Sequence, residues 1–279
     1  MEDLASETIK LADIGAAFFA ETPPYQPLLD RGLARLFAFE PDPRETENLR
    51  KHLGKSGQVV PYAVGDGKTH TFYSCPPTSG MSSLLEPDPQ ALAFFNKFPL
   101  FGAIQSTSPM DTRRLDDIDE IDEIDFLKMD VQGAELMVLQ NGRKKLSDCV
   151  VVQTEVSFIA LYKNQPSFGD IDLELRSQNL IPHCFPAIKK WPISPAVRDN
   201  DERAPFNQLL EADIVYIRDI IHPDTMNDAQ LRKLATIAHY VYYSYDLVIR
   251  CIVELQNRKA CGDNALADYM SSRELPFDL

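Results

Sequence analysis

The most constraining feature of this 279-residue chain is its rhythm: short apolar runs alternate with helical patterns through the first 220 residues. Parallel strands joined by crossover helices produce that alternation, so the chain is expected to be an α/β protein with a mostly parallel sheet. Strands are predicted at 9–14, 34–39, 58–64, 125–129, 149–156, 181–186 and 213–218. Crossover helices are predicted at 43–53, where Pro43 suits a first helical position, at 134–139 after Gly133, and at 168–177 after the turn-forming Asn164-Gln165-Pro166-Ser167. A Pro/Ser/Gly-rich excursion at 69–108 reads as a lid or binding loop inserted in a 1–220 domain.

From 221 onward the pattern becomes helical. Leu231, Leu234, Ile237, Tyr240, Val241, Tyr245, Val248 and Ile252 recur at helical spacing, which predicts one long amphipathic helix over 227–257 with Asn227 or Asp228 as N-cap. The stripe, with Tyr242 and Tyr243 beside it, is expected to pack on the sheet or on a second copy of the chain, which makes this helix the candidate homodimer surface.

Three strand ends carry chemistry. Ala12-Asp13-Ile14-Gly15-Ala16 runs into a turn at glycine, and a first βα turn without a side chain lets backbone N–H groups approach a ligand, although plain tight turns use the same residues. Phe37-Ala38-Phe39-Glu40-Pro41 ends in a carboxylate that can accept hydrogen bonds from both hydroxyls of an adenosine ribose, or can serve as a helix N-terminal acid. Phe126-Leu127-Lys128-Met129-Asp130-Val131-Gln132-Gly133 places Asp130 at the carboxyl edge of the sheet, and Glu155 ends the next strand at that edge. Two acids on neighbouring strand tips can hold a substrate hydroxyl, act as general base or share a divalent cation, and capping is the structural alternative.

Composition narrows the partners. Forty-two acidic against 28 basic residues, a net charge of −14, repel a phosphate backbone, so nucleic acid is not expected as substrate. The acidic run at 116–125 reads as a solvated face. Five widely spaced cysteines without a CxxC pair argue against a zinc site or a disulfide framework. The amino terminus carries Glu2, Asp3 and Glu7 instead of a basic-then-apolar leader, and no stretch reaches the roughly 18 apolar residues of a membrane span, so the expected location is the cytoplasm.

Asp13-Ile14-Gly15-Ala16, Phe39-Glu40-Pro41-Asp42-Pro43, Ala63-Val64-Gly65-Asp66, Ser82-Ser83-Leu84, Leu115-Asp116-Asp117 and Lys128-Met129-Asp130-Val131-Gln132-Gly133-Ala134-Glu135, in that order and spacing, resemble the FkbM family of S-adenosylmethionine-dependent methyltransferases. The resemblance runs from about residue 9 to 219 and leaves the C-terminal helix unexplained. It implies a Rossmann-like class I methyltransferase fold: a seven-stranded sheet whose last strand is antiparallel, with S-adenosylmethionine over the carboxyl ends of the first strands. Asp13, Gly15 and Ala16 would lie beside the methionine part, Glu40 with Pro41 would bind the ribose, Ala63 and Val64 would flank the adenine, and Asp130 would sit near the sulfonium. The implied acceptor is a small hydroxylated molecule: a sugar, a glycolipid or a natural product. Asp130, Glu155 and His183 are the candidate proton acceptors, in that order, and Trp191 lies either in an acceptor pocket or in a surface loop.

Two departures matter. The family's first loop continues with asparagine and a second glycine, whereas residues 17–25 here differ, so Tyr25 or Glu21 is expected to hold the amino-acid end of the cofactor. Gln132 stands where the family often has glutamate, which removes a charge beside Asp130; no metal is expected. Two other readings use the same features: a nicotinamide-dependent oxidoreductase, which would want a G-x-G-x-x-G run that Gly15-Ala16-Ala17-Phe18-Phe19 lacks, and a non-catalytic scaffold dimerising through 227–257.

Overall fold

Near-continuous apolar strands must be covered on both faces, and that requirement organises the molecule. The computed structural model describes residues 7–16, 22–54 and 56–272. The strands are β1 (Ile9–Ile14), β2 (Ala34–Phe39), β3 (Gly57–Val60), β4 (Ala63–Val64), β5 (Thr69–Ser74), β6 (Ser106–Arg113), β7 (Phe126–Met129), β8 (Val151–Ser157), β9 (Leu180–Lys190) and β10 (Leu209–Arg218). The helices are α1 (Gln26–Asp30), α2 (Pro43–Leu53), α3 (Pro89–Ala93), α4 (Phe98–Phe101), α5 (Glu135–Gln140), α6 (Phe168–Ser177), α7 (Asp228–Ile237), α8 (Tyr245–Asn257) and α9 (Ala265–Met270).

Seven strands form one sheet in the order β3-β2-β1-β7-β8-β10-β9. All neighbours from β3 to β8 are parallel, and β10 runs antiparallel to both β8 and β9. This is the Rossmann-like arrangement with a reversed last strand that the resemblance implied. Alternate residues of each strand serve opposite faces. Leu11, Phe126, Val151 and Val215 pack with Leu234, Val248 and Ile252 of the C-terminal helices, while Ala12, Leu127, Val152 and Tyr216 pack with Val138 of α5 and Leu175 of α6. From β1 the chain proceeds outward through β2 and β3, then returns to β7 on the other flank of β1, so a crevice opens between the carboxyl ends of β1 and β7.

Three sequence expectations are corrected. The single strand over 58–64 divides at Pro61, whose missing N–H interrupts the ladder: β3 stays in the main sheet, and Ala63–Val64 pairs instead with Thr112 and Arg113 of β6. The last two strands are longer than predicted, because β9 is an edge strand whose outer half is exposed and offers no apolar run to count. The helix over 227–257 is broken. A π-helical turn at Ala238–Tyr242 ends at Tyr243 in the left-handed region (φ 54°), and α8 begins afresh after Ser244. Serine followed by an acid is a helix-start signal in its own right, and the tyrosine run hid it.

The expected N-cap and the packing of the tyrosine stripe are both found. Asn227 caps α7 in a reciprocal capping box with Gln230, both bonds 2.8 Å. The tyrosine stripe packs on the sheet, with the Tyr242 hydroxyl donating to Gln153 Oε1 at 2.9 Å. Lys233 of α7 reaches buried Asp125 at 3.0 Å and fastens the helices to the start of β7. In the acidic run, Ile118, Ile121 and Ile124 are buried every third residue, while Asp117, Asp119, Asp122 and Glu123 face solvent. The 69–108 excursion is folded: β5 pairs with β6, and Met81, Leu92, Phe95 and Phe98 form a small core with Leu161 and Tyr162. Among the described residues no helix is long and apolar enough to cross a membrane.

Candidate active site

Gly15 leaves β1 at φ +84°, and the Gly15 and Ala16 N–H groups donate to the Phe39 carbonyl at 3.2 and 3.3 Å. The Asp130 N–H donates to the Ile14 carbonyl at 3.0 Å. The tips of β1, β2 and β7 are thereby stitched together, bringing Gly15, Glu40 and Asp130 to one place. A side chain at Gly15 would put its Cβ 2.1 Å from the Asp130 carbonyl oxygen. Gly15→Ala is therefore expected to cost at least about 3 kcal/mol, a left-handed penalty of about 1–2 kcal/mol plus a backbone collision that only movement of the Asp130 loop relieves. Urea unfolding measures it, and a loss below about 1 kcal/mol would show that the turn is not packed in this way.

Asp13 is buried beneath this turn. Its carboxylate accepts from the Tyr25 hydroxyl at 2.6 Å and pairs with Lys128 Nζ at 3.1 Å. Burial, followed by the Asp13 charge and hydrogen bond, pushes the Tyr25 phenol up, so its proton is committed to Asp13. Burial works against the Lys128 ammonium, but the Asp13, Asp130 and Asp213 carboxylates outweigh it and hold its pKa above the ordinary value. Glu21, the other candidate for the amino-acid end of the cofactor, lies outside the described residues.

Glu40 is buried at the tip of β2, its own N–H donating to the Val60 carbonyl at 3.2 Å. Oε1 accepts the Asp42 N–H at 2.7 Å; among the described residues Oε2 has no hydrogen-bond partner. Burial raises the Glu40 carboxyl, with the Asp42 N–H opposing that rise. Pro41 and Ala63 are half-buried, and Val64 is buried with Phe37, Phe39 and Val60 in the core.

The carboxylates of Asp130, Glu155 and Glu135 each present an oxygen within 4.8 Å of the other two. Such a trio could enclose a cation, but the Gln132 side-chain amide stands between two of them, donating to Asp130 Oδ1 at 2.7 Å and to Glu155 Oε2 at 3.0 Å. Gln132 is held in turn. Its backbone is left-handed (φ 54°), Tyr162 Oη donates to its Oε1 at 3.1 Å, and Ser83 Oγ donates to its carbonyl at 2.6 Å. The third acid, Glu135, turns inward and accepts the Val131 and Gly133 N–H groups, both at 3.1 Å. Burial is the largest influence on Glu135 and pushes it up to about 7, against the loop N–H groups. Burial, then Asp130, Glu211 and Glu135, hold the Glu155 carboxyl well above its usual range, with Lys189 pulling the other way.

His183 is not brought to this group. It lies on β9, its Nε2 2.7 Å from Ser244 Oγ, and burial lowers its pKa. Gln132, Tyr162, Ser83, Lys128 and Glu135 are the members that sequence reasoning did not nominate. All but Tyr162 lie in the quoted motifs, so position was the available signal; Tyr162 reaches the site only through the folded insertion.

A reversed last strand beside β8, a glycine turn ending β1 and acids on three neighbouring strand tips define a Rossmann-like α/β protein of the class I methyltransferase type. The model of the methyltransferase FkbM domain matches residues 13–181, more than half of the chain, and the protein belongs to that family. A curated relative, the 2-O-methyltransferase NoeI of Sinorhizobium fredii (strain NBRC 101917 / NGR234), is 30% identical over 146 residues, 48% of this chain. The match spans 58% of that relative's length. Among solved structures, the chain is similar to a TehB-like SAM-dependent methyltransferase from Corynebacterium glutamicum (11% identity, 78% of this chain and 84% of that one, TM-score 0.36). It is also similar to the fibrillarin of Aeropyrum pernix (12% identity, 76% and 68%, TM-score 0.35). Overlaps this loose add nothing to the topology itself. The family match leaves the nicotinamide reading without support.

Proposed function

We propose that the protein transfers the methyl group of S-adenosylmethionine to a hydroxyl oxygen of a small acceptor, a sugar, glycolipid or natural product. The observation that carries this reading is the adjacency of a glycine turn, a buried carboxylate with an unused oxygen at Glu40, and a pair of carboxylates at Asp130 and Glu155. The residues fit the cofactor: Glu40 is a buried residue whose Oε2 has no hydrogen-bond partner among the described residues and could accept from two ribose hydroxyls, and Gly15 keeps the turn free of side chains. S-adenosylmethionine brings a methyl group already activated on a sulfonium. The protein's part is to align the acceptor oxygen, exclude water and take the hydroxyl proton. Asp130, half-buried at the tip of β7, is assigned that proton, with Glu155 beside it as second acceptor. The curated relative's description as a 2-O-methyltransferase supports oxygen as the target.

Labelled methyl donor with a panel of hydroxylated acceptors tests this reading, in magnesium and in chelator. Label is expected on an oxygen at equal rates in both; label appearing only on nitrogen, or abolished by chelator, would overturn it.

The Gln132 amide gives a pH prediction. A base works only when ionised, so the part of the rate that Glu155 carries rises with pH as it loses its proton, and burial with the neighbouring acids puts that limb well above the usual carboxylate value of about 4.3. Gln132→Leu removes N–H donors that favour the charged form, so the limb is expected at still higher pH, with kcat lower at neutral pH. A pH–rate profile identical to the wild type would remove Gln132 from the site.

A further inference from the structure

Beyond Glu155 the strand opens onto a second feature. Phe158 and Ile159 follow the end of β8, their N–H groups bonded to the Leu210 carbonyl at 2.9 and 3.3 Å. With Trp191, Ile193, Phe206 and Leu209 they line a groove of about 660 Å³, within the range of small-molecule sites. Asn207 and Gln208 contribute amides, and none of the lining residues is charged. Trp191 is fixed as a wall: its indole N–H donates to the Asn96 carbonyl at 2.8 Å, and its ring meets Phe98 edge-on at 5.2 Å. At the open side Ile193 and Phe206 are 39% and 47% exposed, large apolar surfaces left uncovered by the described residues.

The groove lies just past the end of the strand that carries Glu155. Phe158 is three residues beyond Glu155, about 10 Å along an extended chain. Glu211, whose charge raises Glu155, pairs with Lys189, two residues before Trp191. The walls come from the end of β8 and the β9–β10 connection, with Asn96 and Phe98 of the 69–108 excursion bracing Trp191.

We propose that this groove is an acceptor subsite for an aliphatic chain: the substrate carries its hydroxylated head at Asp130 and Glu155 and lays an alkyl or acyl group against Trp191, Ile193 and Phe206. The placement of the head rests on the methyl-transfer reading; the binding of the chain does not. An uncharged apolar trough beside a cluster of carboxylates suits an amphipathic neutral molecule, whereas a free sugar would leave the trough wet. The groove sets which hydroxylated compounds bind, and the carboxylates set what happens to them.

Trp191 is the only tryptophan in the sequence, so intrinsic fluorescence reports on this wall directly and needs no turnover. The probe is octyl glucoside below its micelle-forming concentration, with methyl glucoside as the matched head without the chain. Octyl glucoside is expected to shift Trp191 emission saturably, at a half-point at least about tenfold below any response to methyl glucoside. The double variant Ile193→Ser, Phe206→Ser, altered at exposed positions, is expected to lose saturation while keeping the wild-type unfolding midpoint. Equal responses to the two glucosides, a non-saturating response, or saturation surviving in the double variant would overturn the proposal. Calorimetry with S-adenosylmethionine separates the two readings: cofactor binding without a saturable octyl response sinks the groove alone, and a saturable octyl response without cofactor binding sinks the methyl-transfer reading alone.

Discussion

Asp130→Asn is expected to lower kcat by about 10²- to 10⁴-fold while leaving the dissociation constant for S-adenosylmethionine within about threefold, because general base catalysis contributes on that scale. The substitution keeps the size of the side chain and an oxygen that can accept from Gln132, and removes the carboxylate charge together with the capacity to take a proton. The backbone of residue 130, whose N–H bonds the Ile14 carbonyl and whose carbonyl lies against Gly15, is unchanged, so the fold should be too. Glu155→Gln is expected to cost less than Asp130→Asn. The double variant should lose less than the product of the single losses, since one amide of Gln132 couples the two carboxylates. Single-turnover rates with a labelled donor measure all three variants. A loss in Asp130→Asn smaller than about tenfold, with Glu155→Gln nearly inactive, would transfer the role to Glu155.

Glu40→Ala is expected to weaken S-adenosylmethionine binding by about 30- to 1,000-fold, the loss of charge-assisted hydrogen bonds worth about 2–4 kcal/mol together. The only described partner of the Glu40 side chain is the neighbouring Asp42 N–H, so little of the fold depends on it, and circular dichroism should be unchanged. Glu40→Gln should fall between, keeping one acceptor without the charge. An affinity unchanged in Glu40→Ala would place the ribose elsewhere.

The positions of these side chains could be read from the sequence because strand tips announce themselves. An apolar run that stops at an acid or a glycine marks the end of a strand, and Gly15, Glu40 and Asp130 each stand at such an end, although tight turns and helix caps use the same residue types. The parallel sheet was legible for the same reason: strands buried on both faces read as unbroken apolar runs. Edge strands do not, so the outer half of β9 escaped notice. The break in the C-terminal helix was masked by tyrosines that fit the stripe on both sides of Tyr243. Long-range hydrogen bonds leave no local trace, so the clamp of Ser83 and Tyr162 on Gln132, residues separated by 49 and 30 positions, emerged only with the fold. His183 shows the converse: a residue type suited to proton transfer that the topology carries to a different strand and pairs with Ser244.

Titration calorimetry of the wild-type protein with S-adenosylmethionine and, separately, with NAD tests the central claim most directly, since everything assigned to Asp130 presupposes a sulfonium nucleoside held at Gly15 and Glu40. One molecule of S-adenosylmethionine should bind per chain, with NAD giving no heat. Binding of NAD in its place, or of neither compound, would contradict it.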